Sequence, residues 1–451
     1  KRADRANNIM DLASLISEFG GIAYTLLAFV VALSVIVAIH EYGHYIVGRW
    51  SGIHAEVFSL GFGPVLYSRV DRRGTKWQIA ALPFGGYVKF LGDANAASVG
   101  SAEGEAAPAR NTMASAPLWA RSATVAAGPF FNFALSILIF AGVILWDGKA
   151  ADPLTIAELP SLPPQMQQGL QDGDALIEIN GSDVTTTEKF AATFRSLPKQ
   201  PILDYVVERD GVQLEVSGPY PSVPIVTSLA PKSAALSVNM KIDDVITAIN
   251  GSPVFASDQV MAAVVASEGA PLLLDVWRDG QTMQFTLVPR PRDTPLEDGT
   301  FERRWMIGIG MGWFFEPKTE PVGIAEAVTD GVRLTWGVIT GSLNGLKQVI
   351  TGAISTCNLN GPVGIAQTSG AMASQGGQSF IWFIAFLSTA VGLLNLFPIP
   401  VLDGGHLVFH AYEAITGRQP SARALEIFMA AGLTLLLGLM VFALGHDIFC
   451  T

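Results

Sequence analysis

The segment Ile39-His40-Glu41-Tyr42-Gly43-His44 decides the fold, because it places ionisable side chains at the end of a run, residues 22–39, that has no charged residue. In the pattern H-E-x-x-H the histidines are four residues apart, so on a helix both imidazoles lie on one face at chelating distance. Glu41 can then act as a base. Ionisable groups at membrane depth are costly and usually functional. The pattern predicts a metal site; two surface histidines on an amphipathic helix are the alternative.

The composition indicates that much of the chain lies in lipid. Of the 451 residues 50% are hydrophobic and 15% charged, with a mean hydropathy of +0.39, and this length is typical of about three domains. The net charge of −11 is uneven, since residues 147–330 hold 26 acidic and 13 basic side chains, which gives −13 there and +2 elsewhere. This acidic middle part excludes nucleic acid as its partner.

Four apolar segments are long enough to cross a bilayer, which takes about 20 residues. They cover residues 22–50, 118–146, 380–406 and 425–445. No small-residue cleavage site follows the first run, so we expect a retained span after an N-terminal segment of residues 1–21, and not a signal peptide. The sequence does not decide whether the polar, basic residues 1–9 are native.

The basic residues predict the orientation. The connection between the first two spans carries eight of them: Arg49, Arg69, Arg72, Arg73, Lys76, Lys89, Arg110 and Arg121. Basic connections of this length stay in the cytoplasm, although Lys1, Arg2 and Arg5 act in the opposite sense. With this connection inside, the metal motif faces the cytoplasm and the acidic middle part lies outside.

The connection itself, residues 51–117, predicts a membrane-associated β-hairpin or small sheet. Its apolar stretches, residues 57–66 and 77–90, are separated by Arg72-Arg73-Gly74 and interrupted by glycines that include Gly85 and Gly86. An open strand edge beside the metal motif could bind an extended polypeptide by strand addition. A purely structural loop packed against the spans is the alternative.

The acidic middle part contains a repeat. DGDALIEING (residues 172–181) returns as IDDVITAING (242–251), and Arg-Asp-Gly at 209–211 returns at 278–280. Each copy, residues 150–220 and 221–312, therefore reads as a small β-rich module that resembles a bacterial PDZ domain, which binds peptides by strand addition. One copy could instead be a spacer. Helical spacing of apolar residues over 319–356 predicts one or two amphipathic helices on the membrane surface.

The third span ends in NLFPIPVLDGGH, residues 395–406. Pro398 and Pro400 break a regular helix, and the inward direction of this span brings Asp403 to the side of the histidines. A catalytic zinc commonly has three protein ligands and an open position, so Asp403 is the preferred third ligand; His406 and Glu413 are competitors.

Amide side chains on the second and third spans, Asn132 near Gly128-Pro129 and Asn395, could donate to an oxyanion or hold substrate. Helix packing is the alternative role for both.

These motifs together resemble the site-2 protease family of M50-type intramembrane zinc metalloproteases, and with a PDZ pair its regulator-of-sigma-E-protease branch. The features in common are H-E-x-x-H on a first span, N-x-x-P-x-P-x-L-D-G-G on a third and FGGYVK at residues 84–89. The resemblance implies that His40, His44 and Asp403 bind Zn²⁺ and that Glu41 is the catalytic base. Its implied substrate-binding residues are Asn395, Pro398, Pro400, Asn132, Gly85 and Gly86.

The resemblance also implies the biological setting. Such enzymes lie in the bacterial inner membrane and cut transmembrane segments of single-span proteins, among them anti-sigma factors of the sigma-E stress response and signal-peptide remnants. Another protease first trims the outer part of the substrate, and the PDZ pair is thought to exclude untrimmed substrates by size.

The predicted fold class is therefore a polytopic α-helical membrane protein with four transmembrane helices, a membrane-associated β-hairpin or sheet and two tandem extracytoplasmic PDZ domains of α+β type. Two other functions stay open: an inactive PDZ membrane scaffold with a structural metal site, and a zinc transporter. Cys357 and Cys450 are too few for a disulfide framework, and either a pair or two free thiols would fit.

Overall fold

The structure is a computed structural model. It describes residues 3–92, 111–164, 166, 169–230, 232–295, 301–356 and 361–449, except the side chains of residues 3–20, 84, 195, 295 and 449. Cys357 and Cys450 lie outside the described residues. The chain divides into two units: one comprises Lys1–Gly142, Ala327–Gln348 and Leu359–Thr451, and the other Val143–Glu326 and Val349–Asn358.

The regular elements of the described residues are α-helices and β-strands of very different lengths. The helices are α1 (Ala3–Trp50), α2 (Leu118–Asp147), α3 (Thr187–Thr193), α4 (Ala234–Ser237), α5 (Ser257–Ala266), α6 (Ile324–Ile350), α7 (Pro362–Ser374), α8 (Gly377–Asn395), α9 (Asp403–Thr416) and α10 (Ala422–Phe449). The strands are β1 (Ala55–Val70), β2 (Lys76–Phe90), β3 (Lys149–Ala150), β4 (Ile156–Glu158), β5 (Ala175–Ile179), β6 (Ser182–Asp183), β7 (Ile202–Arg209), β8 (Val212–Pro219), β9 (Val226–Leu229), β10 (Val245–Ile249), β11 (Ser252–Pro253), β12 (Leu272–Arg278), β13 (Gln281–Leu287), β14 (Arg290–Pro295), β15 (Phe301–Met306), β16 (Ile309–Met311), β17 (Glu316–Pro317) and β18 (Thr319–Glu320).

Among the described residues, four helical segments are long and apolar enough to cross a membrane: Gly21–Trp50, Leu118–Asp147, Gly377–Asn395 and Ala422–Ile448. The third is shorter than the segment expected from the sequence. Helix α8 ends at Asn395 and a new helix, α9, begins at Asp403, because Pro398 and Pro400 between them have no backbone N–H to donate. Asp403 thus lies at the start of a separate helix.

The connection after α1 forms a strongly curved sheet from two long strands. The first part of β1 pairs on both sides with β2: Phe58 lies opposite Val88 on one side and Trp77 on the other. The second part of β1 pairs with the first part of β2, as Val70 does with Lys76. Residues 86–90 of β2 therefore form one edge of this sheet. Tyr45 of α1 packs in its core with Phe58, so the sheet is held against the helix.

The second unit contains two four-stranded sheets with the same connectivity, β6-β5-β7-β8 and β11-β10-β12-β13. The repeated residues have the same contacts in each. Arg209 donates two hydrogen bonds to the fully buried carboxylate of Asp174, and Arg278 does so to Asp244. The sequence repeat is therefore a structural repeat.

One segment near the end of the second unit belongs to the core of the first sheet. Trp313 packs edge-to-face on Phe190 at 4.7 Å, and Phe314, which is fully buried, packs on Tyr205 at 6.1 Å. Residues 313–315 follow the predicted boundary of the second module at residue 312, yet they complete the first. The first module is thus assembled from two stretches that are distant in sequence.

Candidate metal centre

The two histidines of H-E-x-x-H lie side by side near the end of α1. The ring centroids of His40 and His44 are 4.8 Å apart, and their Nε2 atoms are 3.2 Å apart. This geometry follows from the helical repeat, which brings side chains four residues apart to one face. Both imidazoles therefore point their Nε2 atoms to one common position.

Helix α2 approaches α1 closely at two glycines. A Cβ atom at Gly43 would lie 2.6 Å from the carbonyl oxygen of Ala127, and one at Gly128 would lie 2.7 Å from His40 Cε1 and overlap His44 Nε2. Small residues allow membrane helices to approach this closely. The space that Gly128 leaves is filled by the two imidazoles.

Contacts from α2 also fix the orientation of each ring. His44 Nδ1 lies 2.8 Å from the carbonyl oxygen of Thr124 and must donate to it, since a carbonyl only accepts. His40 Nδ1 lies 3.2 Å from the side-chain amide of Asn132, whose Oδ1 is buried without a partner. A 180° rotation of that amide would pair Oδ1 with His40 Nδ1–H. With both Nδ1 atoms protonated, both Nε2 lone pairs face inward.

The third group of the site comes from the start of α9. Asp403 Oδ2 lies 3.2 Å from His40 Nε2 and 3.6 Å from His44 Nε2. The chain reverses tightly before it, and a Cβ at Gly404 would overlap the carbonyl oxygens of Leu396 and Phe397. The glycines of the D-G-G motif are thus required for the backbone approach that brings Asp403 to the histidines.

The three converging groups fit a metal ion. With both Nδ1 atoms protonated, two nitrogen lone pairs and a carboxylate oxygen face one another, and Asp403 Oδ2 is buried without a hydrogen-bond donor. Such a set has only lone pairs to share, which is unfavourable unless a cation lies among them. In the described chain, the cluster of potential ligand atoms within 4.8 Å of one another consists of His40, His44 and Asp403.

The two competitors for the third position lie outside this cluster. Glu413 is bound by Arg121, with contacts of 2.6 and 3.1 Å. The hydrogen bond from Arg121 is the main reason that the pKa of Glu413 is lowered. His406 follows Asp403 by one helical turn and is half-buried beside Phe409.

Glu41 lies between the histidines and the sheet. The backbone N–H of Val88, on the edge segment of β2, donates to its carboxylate. A Cβ at Gly86 would lie 3.1 Å from Glu41 Cγ, and Gly85 adopts a φ of +133°. Glycine at position 86 therefore lets the edge of the sheet approach the carboxylate closely, and glycine at position 85 allows the backbone conformation before it.

The remaining predicted site residues lie around the junction of α8 with α2. Asn132 contacts His40 as described, and Ser388 of α8 donates to its carbonyl oxygen at 2.9 Å. Asn395 is the half-buried last residue of α8, Pro398 is exposed, and Pro400 packs against Gly432 of α10.

Sequence reasoning missed Thr124, Val88 and the pairing of Arg121. Thr124 and Val88 act through backbone atoms, which the side-chain pattern does not reveal. Arg121 was counted only among the basic residues that predict the orientation.

Comparisons with known proteins identify the family of the chain. A model described as peptidase family M50 matches residues 28–439. A protein of Agrobacterium fabrum named "Putative zinc metalloprotease" is 35% identical over 443 residues, which cover 96% of this chain and 98% of that protein. A relative of the same description from Rhizobium meliloti is 35% identical and covers 94% and 96%. A solved PDZ domain of an SdrC-like protein from Listeria monocytogenes aligns at 20% identity over 20% of this chain and 88% of its own, with a TM-score of 0.16.

Proposed function

The chain belongs to peptidase family M50, and from this premise we propose that it is a zinc-dependent intramembrane endopeptidase that cuts transmembrane segments of single-span proteins. It is a metalloprotease by family and by its relatives over nearly the whole chain. The observation that carries the finer proposal is the position of the site: His40 and His44 lie on a helix that could span a bilayer, and Asp403 joins them from the start of α9, which follows a second such helix. A peptide bond cut there must lie at membrane depth.

The residues of the site divide the work of hydrolysis. His40, His44 and Asp403 would hold the zinc ion, with Thr124 and Asn132 fixing the two imidazoles. When bound, zinc supplies Lewis acidity, which lowers the pKa of a water molecule and polarises a carbonyl. The Glu41 carboxylate accepts the proton of the attacking water and returns it to the leaving amide nitrogen. The Val88 N–H holds this carboxylate in place.

Substrate would reach the site as an extended segment. Residues 86–90 are an edge of the sheet, and Gly85 and Gly86 bring this edge next to Glu41. An edge strand offers backbone groups to an added strand, and a transmembrane helix must unwind before its peptide bond can be attacked. We propose that Asn132, Asn395, Pro398 and Pro400 bind the unwound segment from the other side, through amide groups and an irregular backbone.

The proposed setting is the bacterial inner membrane, with the active site toward the cytoplasm. The basic residues of the connection after α1 support this orientation. The repeated modules would then lie outside the cytoplasm as tandem PDZ domains and exclude substrates whose outer part has not been trimmed. Anti-sigma factors of the sigma-E stress response and signal-peptide remnants are the proposed substrates.

The decisive experiment replaces the proposed base and leaves the ligands intact. Glu41→Gln should retain zinc, measured by elemental analysis of the purified protein, and lose cleavage of a tagged single-span reporter. Glu426→Gln, an exposed change on α10, is the matched control and should cleave normally. Undiminished cleavage by Glu41→Gln would refute the mechanism. A site with four protein ligands and no turnover would identify a structural metal in a membrane scaffold instead.

A further inference from the structure

A bidentate ion pair joins α2 to the end of α9 that is opposite to Asp403. Arg121 donates from Nη2 to Glu413 Oε1 at 2.6 Å and from Nη1 to Oε2 at 3.1 Å. Its Nε donates to the carbonyl oxygen of Ala116 at 3.1 Å. Each of the three guanidinium nitrogens therefore donates to a defined acceptor. The side chains are 12% and 17% exposed. Bidentate ion pairs are stronger than neutral hydrogen bonds, and they fix the relative orientation of the two side chains as well as their distance.

The other contacts that hold α9 are few. Along this helix, which the structure describes throughout, the buried residues are Gly404 and Gly405. Val408, Tyr412 and Ile415 are 49%, 49% and 85% exposed. The segment before the helix, residues 396–402, is irregular and contains two prolines. The helix is thus packed at its glycine end and contacts α10 through the rings of Phe409 and Phe428 at 6.2 Å. Its polar contacts are with α2, namely Arg121 with Glu413 and Ser122 with His410 at 3.2 Å.

One face of α2 aligns both halves of the metal centre. Arg121, Thr124, Gly128 and Asn132 follow at helical spacing. Thr124 and Asn132 contact the imidazoles, and Gly128 lies beneath them. Arg121, one turn before Thr124, binds the helix that carries the carboxylate. The same face of α2 therefore contacts both helices that carry the candidate ligands, α1 and α9.

We propose that Arg121 and Glu413 are a positioning pair: they set the direction of α9 and so bring Asp403 to the two imidazoles. Glu413 is ten residues from Asp403, about 15 Å along a helix, with the glycine contact near the Asp403 end. A change in the direction of α9 about that contact would turn the first turn of the helix, and with it a carboxylate that must stay within about 0.5 Å of its place. The inference rests on the proposed zinc-protease function, but the pair touches neither metal nor substrate.

The test separates positioning from general stability. Full-length protein in detergent would carry Arg121→Met, Arg121→Lys, Glu413→Gln or the exchange of Arg121→Glu with Glu413→Arg. Arg333→Met, which removes an exposed pair with Asp330 on α6, is the control. Zinc affinity is measured by competition with a chromogenic chelator, the ligand field from the visible spectrum of the Co²⁺-loaded protein, and the thermal midpoint on the metal-free protein.

We expect Glu413→Gln and Arg121→Met to weaken zinc affinity by about 10- to 100-fold, as loss of groups that orient ligands does, and to change the Co²⁺ spectrum. The exchange should recover at least part of the affinity, Arg121→Lys should lie between, and the control should match wild type. Should Arg121→Met fail to fold, Arg121→Lys and Glu413→Gln decide.

Unchanged zinc affinity and Co²⁺ spectra in these variants would overturn the proposal, as would loss of affinity in proportion to a lower thermal midpoint with no recovery in the exchange. Failure of the protease function is recognised separately, because wild type would then bind zinc and leave the reporter uncut.

Discussion

The Nε2 atoms of His40 and His44 lie 3.2 Å apart, and the hydrogen bond from His44 Nδ1 to Thr124 leaves the second of them without a proton. Two histidines in an apolar helix would normally be arranged to share a proton or to avoid each other. Here a carboxylate oxygen of Asp403 completes the group at 3.2 and 3.6 Å. The protein is therefore preorganised for a cation before any substrate binds.

Removal of the metal should abolish activity and lower stability. We expect 1,10-phenanthroline to stop cleavage of the reporter, and added Zn²⁺ to restore it, because the ion would supply the Lewis acidity on which hydrolysis depends. The thermal midpoint should fall in the metal-free protein and return with zinc. Elemental analysis of the same samples gives the metal content. Full cleavage by protein shown to be free of metal would contradict the assignment.

The close approach of α1 and α2 should depend on Gly128. In Gly128→Ala the added methyl group would overlap His44 Nε2, so we expect displaced imidazoles and about a 100-fold loss of cleavage, the size of effect that a misplacement of about 1 Å produces. Zinc content should fall with it. Gly142→Ala on the same helix is the control, because a Cβ there meets nothing within 4 Å. Equal activity of the two variants would show that the histidines do not lie as described.

The two halves of the candidate metal centre could be predicted because each has a local signature in the sequence. The four-residue spacing places His40 and His44, and the prolines before Asp403 announce the break after which α9 begins. The role of Glu413 could not be read in this way. Its partner Arg121 is 292 residues away, and only folding shows that this carboxylate is already paired.

The module boundaries show the same limit. Residues 313–315 carry no repeat, yet Trp313 and Phe314 complete the core around Phe190 and Tyr205. A repeat in the sequence locates the two modules. It does not show that a segment after the second module packs into the core of the first. The sequence shows these aromatic residues, but which core they join depends on tertiary packing.

The buried ion pairs of the repeat should be essential to the modules. Asp174→Asn leaves Arg209, which is 23% exposed, without its counter-charge, and loss of a hydrogen bond to a charged group costs about 1.5–3 kcal/mol. Hydrogen exchange of the full-length protein should show lost protection in β5 and β7. Asp183→Asn, at an exposed pair with Lys189, should leave protection unchanged. Equal exchange in the two variants would show that the buried pair does not hold the module.

His410 should make stability depend on pH. Burial, with Arg121 nearby, lowers the pKa of His410 to about 4 from 6.5. Because the unfolded chain then binds the proton more readily, stability should fall as pH drops from 6.5 towards 4. The slope should be less than about 1.4 kcal/mol per pH unit, because His410 is only half-buried and solvent screens its charge.

Thermal unfolding in detergent at several pH values measures this slope. It should be shallower in His410→Leu, whereas His54→Gln, outside α9, should keep the wild-type slope. Parallel curves for wild type and His410→Leu would show that the imidazole is not held neutral.

The size-filter proposal can be tested by excision at a pair of adjacent strands. Lys149 of β3 and Glu320 of β18 are direct partners across an antiparallel pair, so residues 150–319 can be replaced by a short Gly-Ser linker without separating the ends. A deletion that stopped at residue 312 would leave Trp313, Phe314 and Phe315 exposed. We expect the excised enzyme to cut trimmed and untrimmed single-span reporters at similar rates, while the intact chain cuts only the trimmed one. If discrimination survives the excision, substrate selection belongs to the unit that contains the metal centre and not to the repeated modules.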